Sequence, residues 1–459
     1  MKKSYLFKLY LLISGMFLFA SLRAQTGIDP ALATILQNSI NTLRTTNNVK
    51  GIYAAAFIPG KGTWKGVTGV SYGTVPIDTS MLFSIGSVTK TFVAAEIFKL
   101  IEAGQLTLND SLYSLLPPIA NVDPNITIKQ LLGHKSGMGD YLNANWETAM
   151  FADPTRIWYP AEAVDSFLAA PTGTPGGAWN YVNANYALLG RIVELKKSDS
   201  LHHVLRTDFL TPLSLDDTHM EVFENYTNTI PHNWSTPTMS PSLAADSSAT
   251  PHGALWSSIE SAGGYFSTPS DMVHWGYNLY SGNVISAASL SQMTTFTSVG
   301  GGYFNGYGLG CMRFVSSGKT FWGHAGNFYG YAACMLYYPA DSLCVAVLIN
   351  QDCIAANIAK PFMTTLINNL AVGITEQAEA AEISVFPNPA GAEVTVALPP
   401  AFDGMHEISL YGVMGECVYR EKSNAREYRL NTAGLSNGVY ILKAETATKL
   451  LTGKLIVQH

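Results

Sequence analysis

The sequence predicts an α/β domain, an antiparallel sheet flanked by helices with a helical subdomain inserted into it, followed by a small all-β sandwich. Three observations predict it. Strand patterns stand near both ends of the first ~370 residues, with helical patterns between them. A polar Ala/Glu stretch, "ITEQAEAAE", then interrupts the chain. Beyond it, short apolar runs alternate with turn residues.

The elements follow in order. Lys2 and Lys3, an apolar run and Ala24 before Gln25 read as a secretory signal peptide over residues 1–24. The run is too short and too interrupted for a membrane span; a retained anchor helix is the alternative. Asp29-Pro30 predicts a helix start, with a capping acid and proline at the first helical position. Leu32, Ile35, Leu36, Ile40 and Leu43 then share a helical face. "GIYAAAFIPGKGTWKGVTGVSYG" predicts two strands around a Pro-Gly-Lys-Gly turn. After Ser87, a helix with Val93, Ile97, Leu100 and Ile101 on one face stops near Gly104. Residues from about 105 to about 230 read as mostly helical, and a Ser/Thr/Pro/Ala-rich loop follows. Strands return from about residue 300 with a hairpin around Pro339-Ala340-Asp341, and a last helix ends near Gly373. The expected boundaries are a main domain over 28–373, a linker over 374–382 and a C-terminal module over 383–459.

Composition narrows the function. The chain is 47% hydrophobic and 13% charged, enough for a large core and wrong for disorder. The net charge is -6 and no Lys/Arg cluster stands out, so nucleic acid is not an expected partner. Five cysteines match no zinc spacing, and an odd number leaves one unpaired within the chain; small apolar filler is the expected role for most. No metal or cofactor is expected. "SSGKT" ends like a phosphate-binding loop, but Arg313 stands where its first glycine belongs. His202 and His203 are adjacent and diverge on a helix, which suits surface better than metal ligation. His134, Asp140 and Asp271 read as loop-holding, capping or turn residues.

The chemistry centres on "FSIGSVTKTF". Ser87 and Lys90 are three apart, so on a helix they face the same way and can touch. A serine hydroxyl becomes a nucleophile when a base takes its proton. A helix start also points free N–H groups and positive dipole at that spot, favouring developing negative charge. The competing reading is a capping serine with a solvated lysine. A second Ser-x-x-Lys, Ser316 to Lys319, sits around a glycine between strands and reads as a hairpin turn.

Two further motifs change the balance: Tyr181-Val182-Asn183, and His324-Ala325-Gly326. With Ser87-x-x-Lys90, and in this order, they resemble the serine β-lactamase and penicillin-binding superfamily, specifically its class C β-lactamase-like branch. "LLGHKSGM", "PLSLDDTHM" and "SAGGYFSTPSDMVHW" are similar to that branch's scaffold, and the resemblance spans roughly residues 28 to 370. It implies a β-lactamase/transpeptidase-like fold and a serine hydrolase acting on an amide, peptide, ester or β-lactam carbonyl. Ser87 would form the acyl-enzyme. Lys90 would hold and deprotonate it, with Tyr181 as partner base and then as the base for water. Asn183 would bridge Lys90 and a substrate amide. The N–H groups of Ser87 and Asn327, the residue after His324-Ala325-Gly326, would form the oxyanion hole.

Physics constrains that assignment. Free lysine titrates near ~10.4 and tyrosine near ~10, so making either a base at neutral pH costs roughly 4 kcal/mol. Burial lowers lysine and raises tyrosine, so the two form one coupled system. The branch's β-lactamases usually carry Lys-Thr-Gly where His324-Ala325-Gly326 stands. The histidine form resembles D-alanyl-D-alanine peptidases, D-aminopeptidases and esterases. A mostly neutral imidazole grips a substrate carboxylate less well than a permanent cation does. The different-class alternative is a non-hydrolytic penicillin-binding-like sensor or binding protein on the same scaffold.

In the last segment, "VFPNPA", "GVYILK" and "KLIVQH" resemble the C-terminal sorting domain of the type IX secretion system. That resemblance implies a Gram-negative source, passage through the periplasm, contact with export machinery, and a secreted or cell-surface destination. A carbohydrate-binding sandwich is the alternative, for which no exposed aromatic trio is legible.

Overall fold

The computed structural model describes residues 27–236, 241–300, 302–372, 383–399, 405–413, 415–446 and 450–459. The expected signal peptide and linker lie outside them. The chain divides into two compact units, one ending at Asn369 and the other starting at Leu370.

The first unit is built on a nine-stranded antiparallel sheet. Its strand order is Val75–Pro76, Gly62–Tyr72, Gly51–Ile58, Leu343–Ile349, Tyr331–Tyr338, Lys319–Phe328, Met312–Ser316, Gly306–Tyr307 and Thr297–Ser298. The strand patterns near both ends of the first ~370 residues thus meet in one sheet, where Ile52 pairs with Ile349 and Phe57 with Cys344. Gly51–Ile58 is almost wholly buried, as a central strand covered on both faces must be.

Cross-strand partners share a face, which fixes the layers. Trp64 pairs with Ala56 and stacks toward Phe362 of the helix Ala356–Val372. The helix Pro30–Thr46 lies on that face too, through a Ser39–Thr365 hydroxyl contact. Its Asp29 carboxylate accepts the Ala31 and Leu32 N–H groups at 2.7 and 3.3 Å, the cap that Asp29-Pro30 predicts. Phe57 points to the opposite face and packs on His274 and Tyr277 of the helix Pro269–Tyr280. Helices therefore cover both faces of the sheet.

Short helices fill the insert, among them Ile128–Leu132, Ala144–Ala152, Pro160–Phe167 and the longer Ala184–Lys197. The helix Thr89–Glu102 is buried on nearly every side, not on one stripe alone. Phe92 stacks flat on Trp275 at 3.9 Å. Ser316 and Lys319 face each other across a two-residue hairpin turn, with Ser317 and Gly318 both at positive φ. All five cysteines are free thiols, and Cys417 alone is exposed.

In the second unit, from Ile383 on, the regular elements among the described residues are all strands. One sheet holds Ser384–Phe386, Glu393–Ala397 and Glu427–Asn431; the other holds Cys417–Ser423, His406–Gly412, Gly438–Glu445 and Leu450–Val457. Its own core includes Val394, Val396, Leu410, Leu442 and Leu455.

Gly276 sets how close the helix Pro269–Tyr280 lies to the sheet. A Cβ there would stand 2.7 Å from Met335 Sδ and 2.8 Å from Cys344 Sγ. Gly276→Val is expected to lower stability by about 2 kcal/mol through overpacking, measured by urea unfolding; an unchanged midpoint would contradict this packing.

Candidate active site

Ser87 does not cap a helix. It sits in a single 3₁₀ turn, Gly86–Val88, that leads into Thr89–Glu102, and neither helical start has a side-chain cap. Lys90 lies in the first helical turn and is fully buried. Its Nζ reaches Ser87 Oγ at 3.0 Å, Asn183 Oδ1 at 2.9 Å and the Ala262 carbonyl at 2.6 Å. Three partners suit either charge state of an amine. An ammonium donates to all three. A neutral amine donates to Asn183 and Ala262 and accepts the Ser87 O–H on its lone pair. Burial lowers the Lys90 pKa to about 7, against an opposing pull from the Asp140 carboxylate. Both forms are therefore populated near neutral pH.

Tyr181 and Asn183 come from the loop that enters the helix Ala184–Lys197. Asp140 holds that loop. Its carboxylate accepts the Asn183 N–H at 3.0 Å, the Asn183 Nδ2 at 2.9 Å, the Ala184 N–H at 3.3 Å and the Tyr141 N–H at 2.9 Å. The capping role expected of Asp140 is present, and it extends to the carboxamide that binds Lys90. The Tyr181 ring stacks on His134 at 4.2 Å, and Lys90 Nζ lies 5.1 Å from its centroid. The Tyr181 hydroxyl is buried beside Ser87, and burial outweighs that contact and holds its pKa well above the usual tyrosine value. It is a neutral phenol.

Two glycines bring the strand Lys319–Phe328 against Ser87. A Cβ on Gly326 would stand 2.0 Å from the Ile85 carbonyl and 2.7 Å from the Ser87 nitrogen. One on Gly86, at φ +47, would stand 2.9 Å from the Asn327 nitrogen. The Ser87 nitrogen thus lies against Gly326, and the Asn327 nitrogen against Gly86.

These residues open onto a cleft of about 340 Å³, lined by Ser87, Tyr181, Asn183, Gly326 and Asn327. His324 is different. It is fully buried and absent from the cleft wall, although the resemblance grouped it with substrate-contacting residues. A chain of hydrogen bonds accounts for this. The Val182 N–H donates to His134 Nδ1 at 3.2 Å, which leaves the proton on Nε2 to donate to the Tyr307 hydroxyl at 3.2 Å. Tyr307 then donates to His324 Nε2 at 3.0 Å, and His324 Nδ1 donates to the Ala325 carbonyl at 2.7 Å. Both imidazoles are neutral in this arrangement. Burial, then the nearby Lys90 charge, lowers the His324 pKa to about 3.

Sequence reasoning missed Tyr307, the Ala262 carbonyl and the hold of Asp140 on Asn183. A backbone carbonyl leaves no mark in residue type, and "SGMGDY" looks like any turn. Asp271, read as a turn acid, accepts the Asp217 N–H at 3.0 Å and the Thr218 hydroxyl at 2.9 Å; no contact links it to Ser87 or Lys90. His202 meets Glu260 and His203 meets Asp199.

Comparison with known proteins follows the same division. Residues 36–356 match the family described as Beta-lactamase, and residues 384–458 match the Secretion system C-terminal sorting domain. The chain is 26% identical over 291 residues to Penicillin-binding protein 4* of Bacillus subtilis, covering 60% of this chain and 62% of that one. It is 33% identical over 186 residues to Penicillin-binding protein 4 of Amycolatopsis lactamdurans, covering 39% and 47%. The chain thus spans about half to three-fifths of the length of these relatives. The D-amino acid amidase of Ochrobactrum anthropi SV3, complexed with L-phenylalanine amide, shares the fold, with a TM-score of 0.66 at 20% identity over 74% of this chain and 99% of that one.

Asp140 tests the geometry. Its negative charge raises the Lys90 pKa, so Asp140→Asn is expected to move the Lys90 titration below about 7, followed by NMR of labelled lysine. An unmoved midpoint would show that Asp140 does not act on the amine.

Proposed function

This chain belongs to the Beta-lactamase family, carries a C-terminal sorting domain, and from that premise we propose that it is an exported serine hydrolase working through a Ser87 acyl-enzyme. The observation that carries the reading is the fully buried Lys90 amine, bound to Ser87 Oγ, Asn183 Oδ1 and the Ala262 carbonyl. A buried lysine held between charge states has one evident use beside a serine, which is to take its proton.

The steps follow from the geometry. The neutral Lys90 accepts the Ser87 proton as Oγ attacks a carbonyl carbon. The Ser87 and Asn327 N–H groups receive the developing oxyanion. The leaving atom needs a proton as its bond breaks. Tyr181 offers a neutral O–H beside Ser87, and the Lys90 ammonium restores that proton to it. A water then attacks the acyl-enzyme, gives its proton to the same Lys90–Tyr181 pair, and Ser87 leaves with one. The substrate is a small molecule or peptide with an amide, ester or lactam carbonyl. His324 takes no direct part in binding.

Intact-mass spectrometry with a p-nitrophenyl ester and a fluorescent penicillin tests the reaction. An acyl adduct on the wild type and none on Ser87→Ala is the expected result. Lys90→Met should slow acylation by roughly 10²–10⁴-fold, the range for loss of a general base. The acylation rate should rise with pH and level off above about 7, because only the neutral amine accepts a proton and its pKa is about 7. A rate that falls through that range, or no adduct with any carbonyl substrate, removes the hydrolase reading. An adduct that forms and never turns over would instead favour a sensor.

The sorting domain carries the localisation. We infer export across the outer membrane of a Gram-negative cell, followed by release or surface attachment. Deleting the residues after about 380 should leave activity intact and trap the protein in the periplasm, read by fractionation and activity assay. Unchanged export of the truncated protein would refute this.

A further inference from the structure

We propose that the cleft takes an uncharged ligand, an ester or N-blocked amide with an aromatic acyl portion, bearing neither a carboxylate nor a free ammonium near Ser87. This rests on the serine-hydrolase reading for the identity of the site and adds the charge and polarity of what enters it.

Charge is the first argument. Among the described residues, no Asp, Glu, Lys, Arg or His lines the cleft. The nearest cation, Lys90, lies behind Ser87 with all three hydrogen-bond positions engaged. Asp140 is committed to the backbone and carboxamide that hold the loop. His324 is buried, with both ring nitrogens bonded to protein. A charged group entering this space loses its water and gains no counter-ion, which disfavours binding for either sign.

Polarity and shape are the second argument. Trp179, Tyr181, Tyr303, Phe304 and Phe328 give the wall an aromatic surface. Trp179 stands about equally far from Tyr181 and Phe304, at 6.3 and 6.0 Å between centroids. An aromatic wall that presents no charged group suits the ring of a neutral molecule.

Three ligands on one scaffold isolate the charge: N-acetylphenylalanine amide (neutral), phenylalanine amide (cationic) and N-acetylphenylalanine (anionic). Their binding to full-length Ser87→Ala, measured by calorimetry, is expected to favour the neutral ligand by about tenfold or more over each charged one. The wild type should show the same preference in kcat/KM, chiefly through KM, for p-nitrophenyl phenylacetate over benzylpenicillin. Ile354 lines the cleft and is 40% exposed, so an arginine there keeps its charge in water. Ile354→Arg should raise affinity for the anionic ligand relative to the neutral one by roughly tenfold. Equal or tighter binding of either charged ligand overturns the proposal, even with Ser87 acylation intact. Absence of acylation overturns the parent reading instead, and the calorimetric order still decides the charge preference.

Discussion

One constraint organises this site: an amine with no access to water must find every one of its hydrogen bonds in protein. Lys90 finds them in three separate segments. Ser87 is local, three residues back. Asn183 comes from the inserted helices, and the Ala262 carbonyl from the segment that returns toward the sheet. Losing any one leaves a buried polar group unpaired, so the lysine ties sheet, central helix and insert to one another. The same burial that demands these partners lowers the lysine pKa into the range where it can exchange a proton with serine. Structural need and chemical use come from one cause.

The second constraint is steric. Paired donors for an oxyanion must come within reach of one atom, and side chains at either crossing point prevent that. Gly326 and Gly86 remove those side chains where the strand Lys319–Phe328 meets the turn before the central helix. The residues after the two glycines are Ser87 and Asn327, the pair proposed to supply the oxyanion N–H groups.

How much of this was legible in the sequence depends on the range of the interaction. Local rules worked. Asp29-Pro30 capped a helix, Ser316 to Lys319 folded as a hairpin, and Ser87 and Lys90 met because they are three apart on one turn. The contact of Lys90 with Asn183 spans 93 residues and that with Ala262 spans 172, and no local pattern encodes either pairing. The resemblance to a family supplied Asn183. It did not supply Ala262, because a carbonyl is common to every residue. Asp140 was read as a turn acid from its neighbours, and its hold on Asn183 appeared only when the fold closed. His324 shows the opposite case: the motif singled it out along the chain but could not say which way its ring turns.

That ring direction follows from hydrogen-bond arithmetic. A backbone N–H cannot accept, so the Val182 N–H forces His134 Nδ1 to be an acceptor and puts the proton on Nε2. Tyr307 has one proton and two imidazole neighbours. It accepts from His134 and gives its proton to His324, whose remaining proton then sits on Nδ1 toward the Ala325 carbonyl. A charged His324 would carry a proton on Nε2 as well, and the Tyr307 proton would have to leave this imidazole. It would also sit near Lys90, whose charge opposes it. A buried network of this kind favours the state in which every donor has one acceptor. The imidazole is therefore neutral by position, and the cation that a lysine would supply at this point of the strand is missing from the cleft. The two charged groups nearest Ser87, Lys90 and Asp140, both lie behind the wall, bound to Asn183 and its loop and not turned to a ligand.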